Sequence, residues 1–134
     1  MQPNQFFMNQ LLLIGAGGAF GAISRHLVGQ AALRLMGPGL PWGTFAVNII
    51  GGLAMGLLVG WLAMTERADE SSIRLLAGVG FLGGFTTFSA FSLELVMMIE
   101  RRDYLAATGY ALASVLIAVL ALMAGLMIVR RLQG

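Results

Sequence analysis

The sequence predicts an all-α integral membrane fold of four transmembrane helices, the third of them broken near its middle. Three observations carry that expectation. Hydrophobic residues make up 58% of the 134-residue chain and charged residues only 10%, with a mean hydropathy of +0.86; soluble domains carry about 25% charged residues. Four apolar stretches are long enough to span, since roughly 20 helical residues cross a hydrocarbon core of about 30 Å. The third stretch holds Gly80-Phe81-Leu82-Gly83-Gly84-Phe85-Thr86-Thr87-Phe88-Ser89-Ala90-Phe91-Ser92, a composition foreign to a plain membrane helix. The length fits a single membrane domain, residues 1–134.

The first span is expected at about residues 9–33, with the run Gly15-Ala16-Gly17-Gly18-Ala19-Phe20-Gly21 inside it and Arg25 and His26 toward its far end. Gly37-Pro38-Gly39-Leu40-Pro41 is a turn, because proline and glycine punctuate helices. The second span is expected at about residues 43–64, and Thr65 to Arg74 reads as a charged, solvated loop. The third covers about residues 75–99 and ends at the charged turn Glu100-Arg101-Arg102-Asp103. The fourth covers about residues 104–129 and ends in Arg130-Arg131. The N-terminus has no basic region or small-residue cleavage site, which argues against a cleaved signal peptide.

The break follows from the third span's composition. Glycine costs about 1 kcal/mol against alanine in a helix interior, and Gly83-Gly84 doubles that. Consecutive hydroxyl residues offer the backbone local bonds that compete with the helical ladder. Irregular backbone at membrane depth is tolerated only where it is buried in protein or lines a polar cavity, so the break is a candidate ion site. Its carbonyls around Gly83 to Thr86 suit a hard cation.

Small residues recur at four-residue spacing: Gly17 and Gly21; Gly52, Gly56 and Gly60; Gly80 and Gly84. In lipid such patterns let helix backbones approach closely, and they imply a compact bundle. Four spans put both termini on one side, with Arg67, Arg74, Arg130 and Arg131. Arg34, Arg101 and Arg102 lie on the other, joined by Arg25 if it snorkels. Orientation is set by an excess of Lys/Arg on the cytoplasmic side, and here there is none. The expectation is dual topology, with two oppositely oriented copies forming an antiparallel homodimer. Four close-packed helices fill their own core, so a pore belongs between subunits.

Polar groups inside spans are rare and functional by default. Asn48 can donate to a small anion or tie two helices together. Phe85, Phe88 and Phe91 form one stripe if that part is helical; the stripe is either packing or a set of positive ring edges that favour an anion weakly, as conduction requires. Thr86, Thr87, Ser89 and Ser92 either line a polar path or return bonds to their own helix. Arg25 is a snorkelling anchor or a charge that concentrates anions in a vestibule. Glu94 is a hydrogen-bonded packing group or a proton-coupling site. His26 has no partner pattern and is assigned no role. The nine methionines are lipid-facing or core filler. The absence of cysteine excludes thiolate chemistry, and no nucleophile with its base, paired carboxylates or phosphate loop is present. The chain is not expected to be an enzyme, and its eight arginines are too dispersed for nucleic acid.

These residues resemble the Fluc (CrcB-type) fluoride channels. The matching patterns are Gly17-x-x-x-Gly21-Ala22-x-x-Arg25, Gly43-Thr44-x-x-Val47-Asn48-x-x-Gly51, and Gly80-Phe81-x-Gly83-Gly84-x-Thr86-Thr87-Phe88-Ser89-x-Phe91-Ser92-x-Glu94, with Tyr110 and Ser114 four apart on the fourth span. The resemblance implies a dual-topology homodimer with two fluoride pathways, letting fluoride leave a bacterial cytoplasm passively through the plasma membrane. It implies that Asn48 donates to fluoride, that Phe88 and Phe91 present ring edges, and that Thr87, Ser89, Tyr110 and Ser114 add polar lining. It places Arg25 in a vestibule and a structural sodium ion on the two-fold axis, held by carbonyls of Gly83 and Thr86. Ala90, His26, Asp103 and Ala118 depart from the common pattern. The competing expectation is a dual-topology, proton-coupled exporter of organic cations using Glu94.

Overall fold

The computed structural model describes residues 3–134. They form α1 (Pro3–Met36), α2 (Trp42–Leu62), a short α3 (Glu70–Ile73) running into a π-helical segment (Arg74–Leu82), α4 (Gly83–Phe85), α5 (Phe88–Glu100) and α6 (Tyr104–Gln133). No strand occurs among the described residues. Four helical stretches are long and apolar enough to cross a membrane: Pro3–Met36, Trp42–Leu62, Glu70–Glu100 and Tyr104–Leu132.

Each end has a local cause. Gly37 adopts φ 76° and donates its N–H to the Leu33 carbonyl at 3.0 Å, the left-handed helix ending that glycine permits. Asp103 caps α6 by accepting the Ala106 N–H at 3.3 Å. The expected loop Thr65 to Arg74 is shorter than hydropathy suggested, because helix resumes at Glu70 and an i,i+4 pair joins Glu70 to Arg74. Before it, Arg67 lies 5.7 Å from the Trp61 ring centroid and binds Asp69 at 2.8 Å. Its hydrogen bonds hold the exposed Asp69 carboxyl below its ordinary value, so the pair's contribution is present at neutral pH and lost as pH falls through that pKa. The first helix, Pro3–Met36, is also longer at both ends than the expected span.

The α5–α6 turn places Arg102 at φ 60°, with Asp103 N–H bonded to Met98 O and Arg102 N–H to Ile99 O. A side chain in that conformation costs about 1–2 kcal/mol. Arg102→Gly is therefore expected to raise the thermal unfolding midpoint in detergent, by about 1 kcal/mol of added stability.

Packing runs through backbone contacts. α1 lies along the π-helical segment and α4, and α2 lies along α6. A Cβ on Gly17 would strike the Leu76 carbonyl, and one on Gly21 the Phe81 carbonyl. Gly80 and Gly84 answer from the other side, against Gly17 and Gly18. On the second seam, Gly56 faces the Leu122 carbonyl and Gly125 the Leu53 carbonyl. The glycine spacings therefore mark two helix seams. A small cluster of Phe91, Met98, Ala107 and Tyr110, flanked by Phe45 and Leu95, fills the space between α2, α5 and α6. Outward faces are apolar, as at Leu105, Leu116 and Leu120, which is the surface a hydrocarbon environment requires.

Candidate functional site

The helical run from Glu70 stops at Phe85, and Thr86 and Thr87 are extended, with ψ 158° and 121°, before α5 starts at Phe88. Gly83 and Gly84 themselves are helical. Their missing side chains serve the seam with α1, and the hydroxyl residues after them carry the irregular backbone. Thr87 is the N-cap of α5, its Oγ1 accepting the Ala90 N–H at 3.1 Å.

Asn48, in the second turn of α2, ties into this segment. Its Nδ2 donates to the Thr87 carbonyl at 3.0 Å, and its Oδ1 accepts the Thr87 N–H at 2.8 Å. The side-chain amide thus supplies both bonds that an interrupted ladder leaves open at Thr87. From the same helix, Gly51 makes room for the Thr86 methyl. The first hydroxyl, Thr86 Oγ1, returns to Leu82 O at 2.9 Å, and Ser92 Oγ returns to Phe88 O at 2.9 Å.

The caps also redirect backbone donors. The N–H four residues after Gly83 is that of Thr87, which goes to Asn48. The N–H four residues after Thr86 is that of Ala90, which goes to Thr87 Oγ1. Gly84, between them, has its carbonyl bonded by Arg25 Nε at 3.0 Å. Arg25 does not sit at the end of α1: eleven residues of the helix follow it, a rise of about 16 Å. Its guanidinium turns inward to the third span, against the expectation of a snorkelling anchor.

A cavity of about 270 Å³ opens beside the interruption, lined by Asn48, Thr86, Thr87, Phe88, Phe91, Ser114, Val115, Ala118 and Val119. Ser114 is 6% exposed, and its Oγ is buried with no hydrogen-bond partner. Phe91 is buried while Phe88 is 77% exposed; their ring centroids are 5.5 Å apart and tilted by 44°. The expected Phe85–Phe88–Phe91 stripe is not continuous. The extended pair Thr86-Thr87 rotates the register, so Phe85 stacks on Phe81 at 5.8 Å and leaves the other two rings to the cavity.

Ser89 and Tyr110 stand outside the cavity wall. Ser89 Oγ is 3.3 Å from Thr87 Oγ1. Tyr110 backs Phe91, with centroids 5.3 Å apart, and its hydroxyl donates to Glu94 Oε2 at 2.7 Å. Thr44 donates to Glu94 Oε1 at 2.6 Å, so the carboxylate joins α2, α5 and α6. Thr44 was named from the sequence only within the family pattern and given no role; its place one turn before Asn48 on an apolar helix was the available signal. Val115 and Val119 were missed because nothing distinguishes them from lipid-facing residues, whereas Ala118 was named only as a departure from the common pattern. His26 is exposed on α1, and no group of His, Cys, Asp and Glu suited to a metal occurs among the described residues.

The model of a family described as "CrcB-like protein, Camphor Resistance (CrcB)" matches residues 12–126. The chain belongs to the CrcB-like family. It is 60% identical over 124 residues to the "Fluoride-specific ion channel FluC" of Phenylobacterium zucineum (strain HLK1), covering 92% of this chain and 98% of that protein. Proteins of the same name from Caulobacter vibrioides (strain NA1000 / CB15N) and Sphingopyxis alaskensis (strain DSM 13593 / LMG 18877 / RB2256) are 54% and 53% identical over 124 and 127 residues. Those matches cover 92% and 95% of this chain and 98% and 100% of the relatives. The CrcB-like family is thus one of ion channels, not enzymes, and this member has four helices of membrane-spanning length.

Proposed function

We propose that the protein is a fluoride-selective channel that lets fluoride leave a bacterial cytoplasm passively. It works as an antiparallel homodimer of dual topology in the plasma membrane, with two pores. The observation that carries this reading is the cavity in which the Asn48 amide, the unpartnered Ser114 hydroxyl and the Phe88 and Phe91 rings meet, in a chain whose relatives are named for fluoride.

Fluoride is small and holds its water strongly, so a pathway must return hydrogen bonds without trapping the ion. Asn48 has two amide hydrogens, one used on Thr87, leaving the second for the anion. Ser114 Oγ offers another donor. The edges of Phe88 and Phe91 add weak positive potential without a charge. Thr87 adds polar lining, Ser89 stands behind it within reach of its hydroxyl, and Tyr110 holds Phe91 from behind. Two features support the dimer. Phe88 is 77% exposed beside the cavity, and the arginine balance gives no preferred orientation.

The residues at the interruption fit a sodium ion on the dimer axis, because the Gly83 carbonyl has its usual helical donor diverted to Asn48 and the Thr86 carbonyl lies in extended backbone outside the helical ladder. Bound there, the ion would supply fixed positive charge and cross-link the two copies. The proton-coupled exporter is less well supported: it needs a free carboxyl in a roomy cavity, whereas both Glu94 oxygens accept hydrogen bonds.

Fluoride efflux from reconstituted liposomes, followed by a fluoride electrode with chloride efflux in parallel, tests the reading. Phe88→Ile keeps bulk but removes the ring edge, and is expected to slow fluoride release by about tenfold, a change of about 1.4 kcal/mol in the barrier. Parent-like release by folded Phe88→Ile would remove this ring from the pathway.

A further inference from the structure

We infer that Arg25 is a positioning residue, which holds the interruption of the third span in shape through the Gly84 carbonyl. The inference rests on the channel reading for its functional consequence, but not for its structural one. Three carbonyls near the interruption are in question. That of Gly83 loses its usual donor, the Thr87 N–H, to Asn48, and that of Thr86 lies in extended backbone outside the helical ladder. The carbonyl between them, Gly84, accepts from Arg25 Nε at 3.0 Å, across 59 residues of sequence.

Several features make this bond more than a chance contact. An arginine within a membrane-spanning helix is costly unless its charge is engaged, and Arg25 lies well inside α1. The helical run from Glu70 ends at Phe85, and a cation belongs at the negative end of a helix. The approach is also built for it. A Cβ on Gly84 would lie 2.5 Å from Gly18 O and 3.2 Å from Ala22 N, so α4 rests on the α1 backbone in the two turns before Arg25. The planar guanidinium then reaches the last helical turn from a fixed base. Thr86 and Thr87 follow directly, and their backbone presents the cavity wall and the Asn48 partner groups. Gripped by Arg25 from α1 and by Asn48 from α2, the extended pair is held on both sides.

A vestibule charge and a positioning bond make different demands on the side chain. The charge acts at a distance and is screened: the Debye length falls from about 30 Å at 0.01 M salt to about 3 Å at 1 M. The bond needs an N–H donor and is indifferent to salt. The experiment compares the parent with Arg25→Met, which has neither donor nor charge, and Arg25→Gln, which keeps a donor without charge. Amide hydrogen exchange at Thr86 and Thr87 and fluoride efflux at low and high ionic strength are measured on each.

Arg25→Met is expected to speed exchange at Thr86 and Thr87 by about tenfold, as one supporting bond is lost. Its efflux should fall by a similar factor, about tenfold, at both ionic strengths. Arg25→Gln should recover most of both. Unchanged exchange in Arg25→Met overturns the inference, as does an efflux loss that disappears at high salt with Gln no better than Met. If Arg25→Met yields no folded protein, Arg25→Gln decides: parent-like exchange and efflux support the donor role, and a salt-sensitive efflux loss overturns it. If the parent itself passes no fluoride, the channel reading fails, while the exchange comparison still decides what Arg25 does.

Discussion

Asn48→Ala is expected to reduce fluoride efflux by about a hundredfold, the scale on which losing one preorganised donor to an anion acts. It should also destabilise the folded protein, by about 2–5 kcal/mol. Both part-buried Thr87 backbone groups lose their partner when the amide goes, and an unsatisfied group costs about 1–3 kcal/mol when fully buried and less where water reaches it. Asn48→Asp separates the two effects. A carboxylate still accepts the Thr87 N–H but cannot donate to the Thr87 carbonyl, and it repels an anion. It should therefore keep part of the fold and lose conduction. Thermal unfolding in detergent and liposome efflux, measured on the same preparations, provide the check. Parent-like efflux in folded Asn48→Ala would leave Asn48 as a helix tie alone.

Gly21→Ala should act first on folding. Its Cβ would run into the Phe81 carbonyl and lie 2.9 Å from the Phe85 N. Both obstacles are backbone, so neither can rotate away, and overpacking of this kind costs about 1–3 kcal/mol. The displacement falls on the turn before Thr86, so efflux should fall with stability. Gly15→Ala is the control, since a Cβ there meets nothing within 4 Å. It should be neutral or stabilising by up to about 1 kcal/mol, the helix preference for alanine over glycine. Equal behaviour of the two variants in an unfolding titration would contradict the account of the seam.

These two positions show what the sequence discloses and what it withholds. The four helices of spanning length were legible because hydropathy is a sum over some twenty residues, and the glycine spacings because helix periodicity puts every fourth residue on one face. The ends were less legible: hydropathy does not register that helix resumes at Glu70 through a pair with Arg74. Composition placed irregular backbone near Gly83-Gly84, yet those residues are helical and the extended pair is Thr86-Thr87. A glycine's conformational freedom and its lack of bulk leave the same letter in the sequence; here the packing against α1 uses the second. The Phe85 ring left the expected stripe for the same reason, since two extended residues reset the register.

The links that shape the candidate site join residues far apart in the chain: Asn48 with Thr87, Thr44 with Glu94, Arg25 with Gly84. Periodicity marks each as unusual within its own helix but does not name its partner. Asn48 was legible as a polar group with two roles open, and the tie to Thr87 leaves one N–H for the other. Glu94 was legible as an acid within a span, and its two hydrogen bonds became visible only once α2 and α6 were brought beside α5.

The most direct test of the central claim is electrical. Purified protein is inserted into a planar bilayer with fluoride on both sides, and the fluoride is then replaced by chloride. The account predicts a steady current that reverses with voltage in fluoride and falls to the bilayer background in chloride. A folded protein that carries no fluoride current, or one that carries chloride equally well, would contradict it.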